Sequence, residues 1–61
     1  MKNVALSVTG DILTITVDLS KTQGPSKSGK TEVIATTEGN QVVPDHVDTR
    51  IGLNVYKYPS R

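Results

Sequence analysis

Apolar and polar residues alternate along most of the chain, with the two-residue period that is typical of half-buried β-strands. The first such run places Val4, Leu6 and Val8 on one face. A Gly10–Asp11 turn follows, and the next run alternates in the same way, with its apolar face formed by Leu13, Ile15, Val17 and Leu19. Two alternating runs around a glycine-containing turn predict a β-hairpin.

Three further strands are predicted downstream of a long polar break at 20–30. A segment rich in Thr, Val and Ile is followed by a turn at 38–41, a short strand that Pro44 ends, a polar loop at 45–49 and a last strand. These three strands are expected at 31–38, 41–43 and 50–58. In the last one Ile51, Leu53 and Val55 share one face, and Tyr56 and Tyr58 share the other. The register at Val33 and Ile34 stays open, because either side chain could face inward.

No window has the helical spacing of apolar residues, so the prediction is one all-β domain over residues 1–61. A sheet with one apolar face must cover it, and no helix is available to do so. We therefore expect a small antiparallel five-stranded barrel or half-sandwich, SH3-like or OB-like in outline, with no substantial helix. Two copies stacking their apolar faces are the alternative, and both arrangements can hold at once.

Composition favours a homo-oligomer. The chain has 61 residues, no Cys, one His, no Trp and no Phe. Domains of this size bury little surface and usually need a disulfide, a metal or a partner subunit. Since cysteine is absent and His46 stands alone, disulfides and thiolate or histidine-rich metal sites are excluded. A homo-oligomer, with a dimer favoured, or an unusually efficient core remains.

Charge and hydropathy narrow the class of partner and the location. The formal net charge is +1, which is too balanced for a protein whose whole surface binds nucleic acid or anionic lipid. The first eleven residues lack the unbroken apolar run of a signal peptide, and no apolar run is long enough for a membrane span. We expect a cytoplasmic protein that meets any charged partner through a local patch.

The stretch GPSKSGKT, from Gly24 to Thr31, matches the phosphate-binding loop of nucleotide hydrolases, G-x-x-x-x-G-K-[ST]. That loop works between a buried parallel strand and a helix that starts at its Lys. Here the residues after Lys30 are largely β-branched and meet Gly39 soon afterwards, so they predict a strand. We expect no nucleotide cofactor, or cofactor of any other kind, and no nucleotide hydrolysis.

The same loop is still a candidate for contacting the phosphates of a nucleic acid, which requires less than a nucleotide-binding loop does. Segment 20–31 carries three lysines and no acid, the only charge asymmetry in the chain: Lys21, Lys27 and Lys30. Ammonium groups on a Gly- and Ser-rich loop are suited to binding the phosphates of a nucleic-acid backbone without recognising the base sequence. The alternative is a solvated loop whose lysines prevent edge-to-edge sheet pairing.

Tyr56 and Tyr58 form the second candidate feature. Two residues apart on one strand, they point the same way at a spacing of about 7 Å. Their rings could stack on successive bases while Lys57 lies near the backbone. Alternatively, the rings cover an edge of the sheet or pack in a subunit interface with their hydroxyl groups exposed to water.

The remaining chemistry is sparse. Asp45, His46 and Asp48 fall within one short loop, but no fourth ligand is evident. A turn whose Asp side chains bond nearby backbone N–H groups explains the carboxylates better than a metal does, so we expect no metal site. No serine lies in a nucleophile elbow, so we expect no catalytic residues. Two functions remain: a small non-enzymatic binding module that contacts nucleic-acid phosphates, or a structural and protein-interaction module that acts through homo-oligomerisation or partner binding.

Overall fold

A computed structural model describes residues 1–58 of the chain. These residues form seven strands and no helix: β1 (Ala5–Thr9), β2 (Ile12–Thr16), β3 (Gly24–Pro25), β4 (Glu32–Thr36), β5 (Gln41–Val43), β6 (His46–Ile51) and β7 (Asn54–Lys57). The strands make three antiparallel sheets, ordered β1-β2, β3-β4-β7 and β5-β6. The all-β prediction is confirmed, although the strand count exceeds the expected five. The three sheets do not close into a barrel.

The predicted hairpin is β1-β2. Its register pairs Ala5 with Thr16 and Thr9 with Ile12 around Gly10, whose φ of 59° is the left-handed geometry that glycine tolerates. On the apolar face Leu6, Val8 and Leu13 are half-buried. The predicted face is less covered at its end, because Leu19 is 69% exposed.

The three-stranded sheet holds β4 at its centre. On one side β4 pairs with β7, and on the other it pairs with β3. On the β3 side, the backbone of Thr36 also forms a bridge with that of Lys2. The Asn3 side chain, in a residue with φ 57°, donates to the carbonyls of Asp18 at 2.8 Å and Ile34 at 3.0 Å. One amide therefore joins the N-terminal segment, the end of the hairpin and the central strand.

The β4-β7 ladder contains a bulge that answers the register question. Val33 pairs with Tyr56 and Ala35 with Val55, so Ile34 is an extra residue on β4. Ile34 is buried and Val33 is half-buried on the opposite face. Of the two residues that the sequence left open, Ile34 is the one that faces inward, and as an inserted residue it changes which face the next residues of β4 occupy.

The predicted polar loop at 45–49 is wrong for residues 46–49, which belong to β6. Val43 pairs with His46, so Pro44 and Asp45 alone make the turn. Proline fixes φ near −65° and Asp45 has φ 63°, the combination of a type II turn. Polar residues form a strand here because β6, within residues 1–58, pairs only with β5 and leaves most of its side chains in water.

The predicted last strand, 50–58, is divided in two. Ile51 ends β6 and Asn54 begins β7, with Gly52 and Leu53 between them. The predicted alternation is confirmed: Ile51, Leu53 and Val55 are half-buried, whereas Gly52, Asn54, Tyr56 and Tyr58 are exposed. The chain changes sheets here because Leu53 bonds to Thr37 at the end of β4.

The core is very small. Among residues 1–58 the buried side chains are Ile34, Ala35 and Val43, with Thr37 as the one buried polar residue. The radius of gyration is 13.1 Å, against about 10.5 Å for a compact domain of this length. The molecule is elongated, with extents of 43 × 20 × 12 Å. Over the described range, no helix has the length and apolarity that crossing a membrane requires.

Candidate functional site

An open groove of about 660 Å³ lies between the 26–31 loop and the outer face of β4 and β7. The loop contributes Lys27, Lys30 and the hydroxyl residues Ser26, Ser28 and Thr31. The sheet contributes Val33, Thr36, Asn54, Tyr56 and Tyr58. The groove therefore brings together the lysine-bearing loop and both tyrosines, which the sequence had given as two separate candidates.

The loop is a hairpin connection between β3 and β4. Ser26 N–H donates to the Thr31 carbonyl at 2.9 Å, and Gly29 N–H donates to the Ser26 carbonyl at 2.9 Å. Lys30 N–H donates to Ser28 Oγ at 3.3 Å. These amides are already used within the loop, so they are not free to surround a phosphate as a nucleotide-binding loop does. An anion at this loop is therefore left with the lysine side chains and the amides of Lys27 and Ser28.

The segment after Lys30 is extended, as the sequence predicts. β4 runs from Glu32 to Thr36, antiparallel to β3 and β7. The helix that would follow Lys30 in a phosphate-binding loop is therefore not formed by this segment. GPSKSGKT keeps the residue pattern of such a loop in a different structural setting.

The β4 bulge builds the groove wall. In a regular strand Val33 and Thr36 would face opposite sides of the sheet, since they are three residues apart. The extra residue Ile34 puts both on the groove face, where Val33 is the partner of Tyr56 and Thr36 the partner of Asn54. Ile34 itself is buried and 5% exposed. The bulge at Ile34 thus shapes the groove wall and also adds a buried side chain to the core.

Thr36 fixes the orientation of Asn54. The Thr36 hydroxyl accepts from Glu38 N–H at 3.0 Å and donates to Asn54 Oδ1 at 2.7 Å. Because the Asn54 oxygen is held this way, its NH₂ group is left at the groove with no hydrogen-bond partner within residues 1–58. A ligand with carbonyl or phosphate oxygens would find a donor there.

The two tyrosine rings are exposed and near each other. Tyr56 is 55% exposed and Tyr58 is 76% exposed. Their ring centroids lie 6.5 Å apart with an interplanar angle of 61°. At that angle the rings meet edge to face, and each offers a separate stacking surface in a different direction.

The charge of the groove is positive. Lys27 and Lys30 are exposed, and none of the residues that line the groove is acidic. The other two lysines of the predicted set lie elsewhere. Lys57 alternates with Tyr56 and Tyr58 and is the cross-strand partner of Glu32 on the opposite face of the sheet. Lys21 is also outside the groove, beyond the end of β2.

Lys21 lies beside an acidic turn. Asp18 Oδ1 accepts from Ser20 Oγ at 2.6 Å and from Ser20 N–H at 2.9 Å. The two hydrogen bonds from Ser20, side chain first, hold the pKa of Asp18 below its usual value, with a smaller contribution from the Lys21 charge. The Asp18 carboxylate thus lies near enough to feel the charge of Lys21, whereas no acidic residue lines the groove that holds Lys27 and Lys30.

The Asp45, His46 and Asp48 segment does not gather its side chains. His46 lies with Asp11 along a second cleft, of about 260 Å³, and neither Asp45 nor Asp48 lines it. His46 Nε2 is 3.1 Å from the Gly10 carbonyl, which links the β5-β6 turn to the hairpin turn. Within the part of the chain that the structure describes, no three His, Cys, Asp or Glu side chains are placed to share a metal ion.

Sequence reasoning missed the groove residues outside the lysines and tyrosines. Asn54 could have been found, since alternation puts it on the same face as Tyr56 and Tyr58. Thr36 could not, because its orientation depends on the bulge.

No protein-family model, curated protein or solved structure matches this chain.

Proposed function

We propose that this protein is a non-enzymatic module that binds single-stranded nucleic acid in the groove between the 26–31 loop and β7. The observation that carries the proposal is that Lys27, Lys30, Tyr56 and Tyr58 line one groove without an acidic residue. Positive charge that follows a phosphate backbone, beside aromatic rings on which bases stack, is the usual composition of such sites.

The angle between the rings favours a single strand over a duplex. Bases in a duplex lie parallel, about 3.4 Å apart. Tyr56 and Tyr58 are 6.5 Å apart and turned by 61°, so two bases that stack on them must be splayed out of a common stack. Unpaired nucleotides adopt such an arrangement readily, and a paired helix does not.

Five residues of the groove contact the nucleic acid in this proposal. Lys27 and Lys30 contact phosphates as point charges, while Tyr56 and Tyr58 stack on bases. Asn54 donates its free NH₂ group to a base carbonyl or to a phosphate oxygen. Lys21 and Lys57 were part of the sequence-based hypothesis, but they lie outside the groove and take no part in the present one.

The test is a fluorescence-anisotropy titration with labelled single-stranded and duplex oligonucleotides of one sequence at two salt concentrations. We expect the single strand to bind more tightly and its affinity to fall as salt rises, since bound phosphates release counterions. ATP and GTP serve as controls, because a preference for mononucleotides would favour a nucleotide site instead. Absence of binding at low salt, or binding that ignores salt, would contradict the proposal.

Self-assembly is the second candidate function. It is supported by apolar side chains left at the surface: Ile12, Leu19 and Val47 are 68%, 69% and 75% exposed. With so small a core in an elongated chain, association with another surface is a direct route to added stability. Sedimentation of the chain over a range of concentrations tests it, and a monomer throughout would contradict it.

A further inference from the structure

One edge of the three-stranded sheet offers unpaired backbone groups in a defined pattern. Leu53 directs both its N–H and its C=O at Thr37, at 2.9 Å to the hydroxyl oxygen and 3.0 Å from the amide nitrogen. Backbone groups alternate sides along a strand, so Asn54, Tyr56 and Tyr58 direct their N–H and C=O groups away from β4. Within residues 1–58 no other strand lies on that side of β7.

We infer that a second copy of the chain pairs with this edge, β7 against β7 in antiparallel orientation. A two-fold axis brings the same patch of both copies together, and two identical edges satisfy each other's donors and acceptors. In the register we infer, Tyr56 faces Tyr56 of the second copy, and Asn54 faces Tyr58 of the second copy. Both kinds of pair are hydrogen-bonded ones, because all three residues have outward-facing backbone groups.

Charge and the cross-strand tyrosine pair select this register among its neighbours. A shift by one pair toward the C-terminus would set Lys57 directly against Lys57 of the second copy, a like-charge pair that destabilises a sheet. A shift the other way would set Tyr56 against Asn54 of the second copy and lose the Tyr56–Tyr56 pair, although aromatic cross-strand pairs stabilise a sheet. In the chosen register Lys57 faces Val55 of the second copy, so no like charges are opposed.

The pairing would join two grooves into one site, and in this respect it rests on the proposed function. A two-fold axis perpendicular to the sheet leaves both grooves on the same face. Tyr56 and Tyr58 of both copies then lie at the centre, and Lys27 and Lys30 of each copy lie toward the two ends. A single strand would therefore cross one continuous strip, and each copy would contribute half of the binding residues.

Hydrogen exchange of the whole chain, followed by NMR from dilute to concentrated protein, tests the pairing directly. We expect the amide of Tyr56 to exchange about tenfold more slowly in the concentrated sample, because it gains a partner. The Val55 amide is the internal control, since it faces β4 in both states and should not change. Sedimentation should show the mass rising from 6.5 kDa to twice that value over the same range.

A cysteine cross-link provides a second readout in a chain that has no native cysteine. In the inferred register the two Tyr56 Cα atoms are about 5.5 Å apart, within the range that a disulfide spans. Tyr56→Cys should therefore form a covalent dimer under mild oxidation. Thr14→Cys, at an exposed polar residue of β2 in another sheet, is the matched control and should cross-link far less.

The possible outcomes separate the pairing from the function. A dimer with a protected Tyr56 amide supports the pairing, even if it binds no oligonucleotide and so defeats the proposed function. A dimer whose Tyr56 amide stays unprotected has formed through another surface and overturns the pairing. A chain that remains monomeric also overturns it and leaves the edge for an extended segment of another protein, while oligonucleotide binding by that monomer would still support the function.

Discussion

The hydroxyl oxygen of Thr37 lies 2.9 Å from the backbone nitrogen of Leu53, between segments that are 16 residues apart in the chain. The same hydroxyl donates to the Gly39 carbonyl at 2.6 Å, and the Thr37 amide donates to the Leu53 carbonyl at 3.0 Å. Thr37 is 1% exposed. This one residue therefore ties the end of β4 to the start of β7 and fixes which backbone groups of β7 face outward.

Replacing Thr37 with Val should destabilise the fold. The change keeps the shape of the side chain but leaves the part-buried Leu53 N–H without its acceptor, at a cost of about 1–3 kcal/mol. Thr37→Ser retains the hydroxyl and is the control, with a smaller loss. Chemical denaturation of all three proteins at one concentration measures the difference, and equal stability of Thr37→Val and the parent would contradict the role of this bond.

The lysines of the chain allow a matched test of the groove. The double substitution Lys27→Ala with Lys30→Ala should weaken single-strand binding and lower the slope of log affinity against log salt by about 1.4, from two lost phosphate contacts. Lys21→Ala with Lys57→Ala removes the same charge outside the groove and should leave the slope nearly unchanged. If both pairs of substitutions had the same effect, binding would depend on net charge alone, and the groove would have no special part in it.

Removing either tyrosine ring should weaken binding of the single strand but not of a duplex. Tyr56→Ala and Tyr58→Ala are each expected to cost about 1–3 kcal/mol, because one base loses its stacking surface. Tyr58→Phe keeps the ring and should bind as the parent does, whereas Ile12→Ala removes exposed apolar surface from another sheet and should have no effect. The comparison uses the same anisotropy titration, and a Phe variant as weak as the Ala variant would argue for the hydroxyl instead of the ring.

Acid should remove the stabilising contribution of Asp18. The Ser20 hydrogen bonds lower the pKa of this carboxyl in the folded state, so its contribution is present above the unfolded pKa and is lost as pH falls through the folded one. The difference in unfolding free energy between the parent and Asp18→Asn should therefore shrink once the pH drops below about 4. Ser20→Ala should return the pKa of Asp18 toward its usual value, which a carboxyl NMR titration measures. An Asp18 pKa that does not respond to Ser20→Ala would contradict this account.

The positions of the strands follow from local patterns wherever one face of the chain is covered. The alternation of Leu6 and Val8 with polar residues, and the glycine turn after them, is sufficient for the β1-β2 hairpin. The β-branched residues after Lys30 are likewise sufficient to predict β4 instead of a helix. β6 was missed because its polar residues carry no such alternation, and the short β3 was missed because two residues are too few to form a pattern.

The lysines of the groove depend on both levels of structure. Lys27 and Lys30 line the groove with the tyrosines, whereas Lys57 is separated from them although it lies between them in the chain. Alternation alone places Lys57 on the other face, so this much was available from the sequence. The exclusion of Lys21 was not, since it depends on where the end of β2 lies relative to the β3-β4 hairpin.

By itself, the sequence determined that residues 1–58 form strands joined by turns and loops without a helix, which side of the last strands is covered, and that Tyr56 and Tyr58 project together. These properties depend on the two-residue repeat of a strand, which neighbouring residues set. The bulge at Ile34, the pairing of β4 with β7 and the meeting of the 26–31 loop with the two tyrosines were decided only in the tertiary structure. They depend on hydrogen bonds between distant segments, such as those of Thr37 with Leu53 and Thr36 with Asn54, and no local pattern encodes which distant partner a backbone group will find.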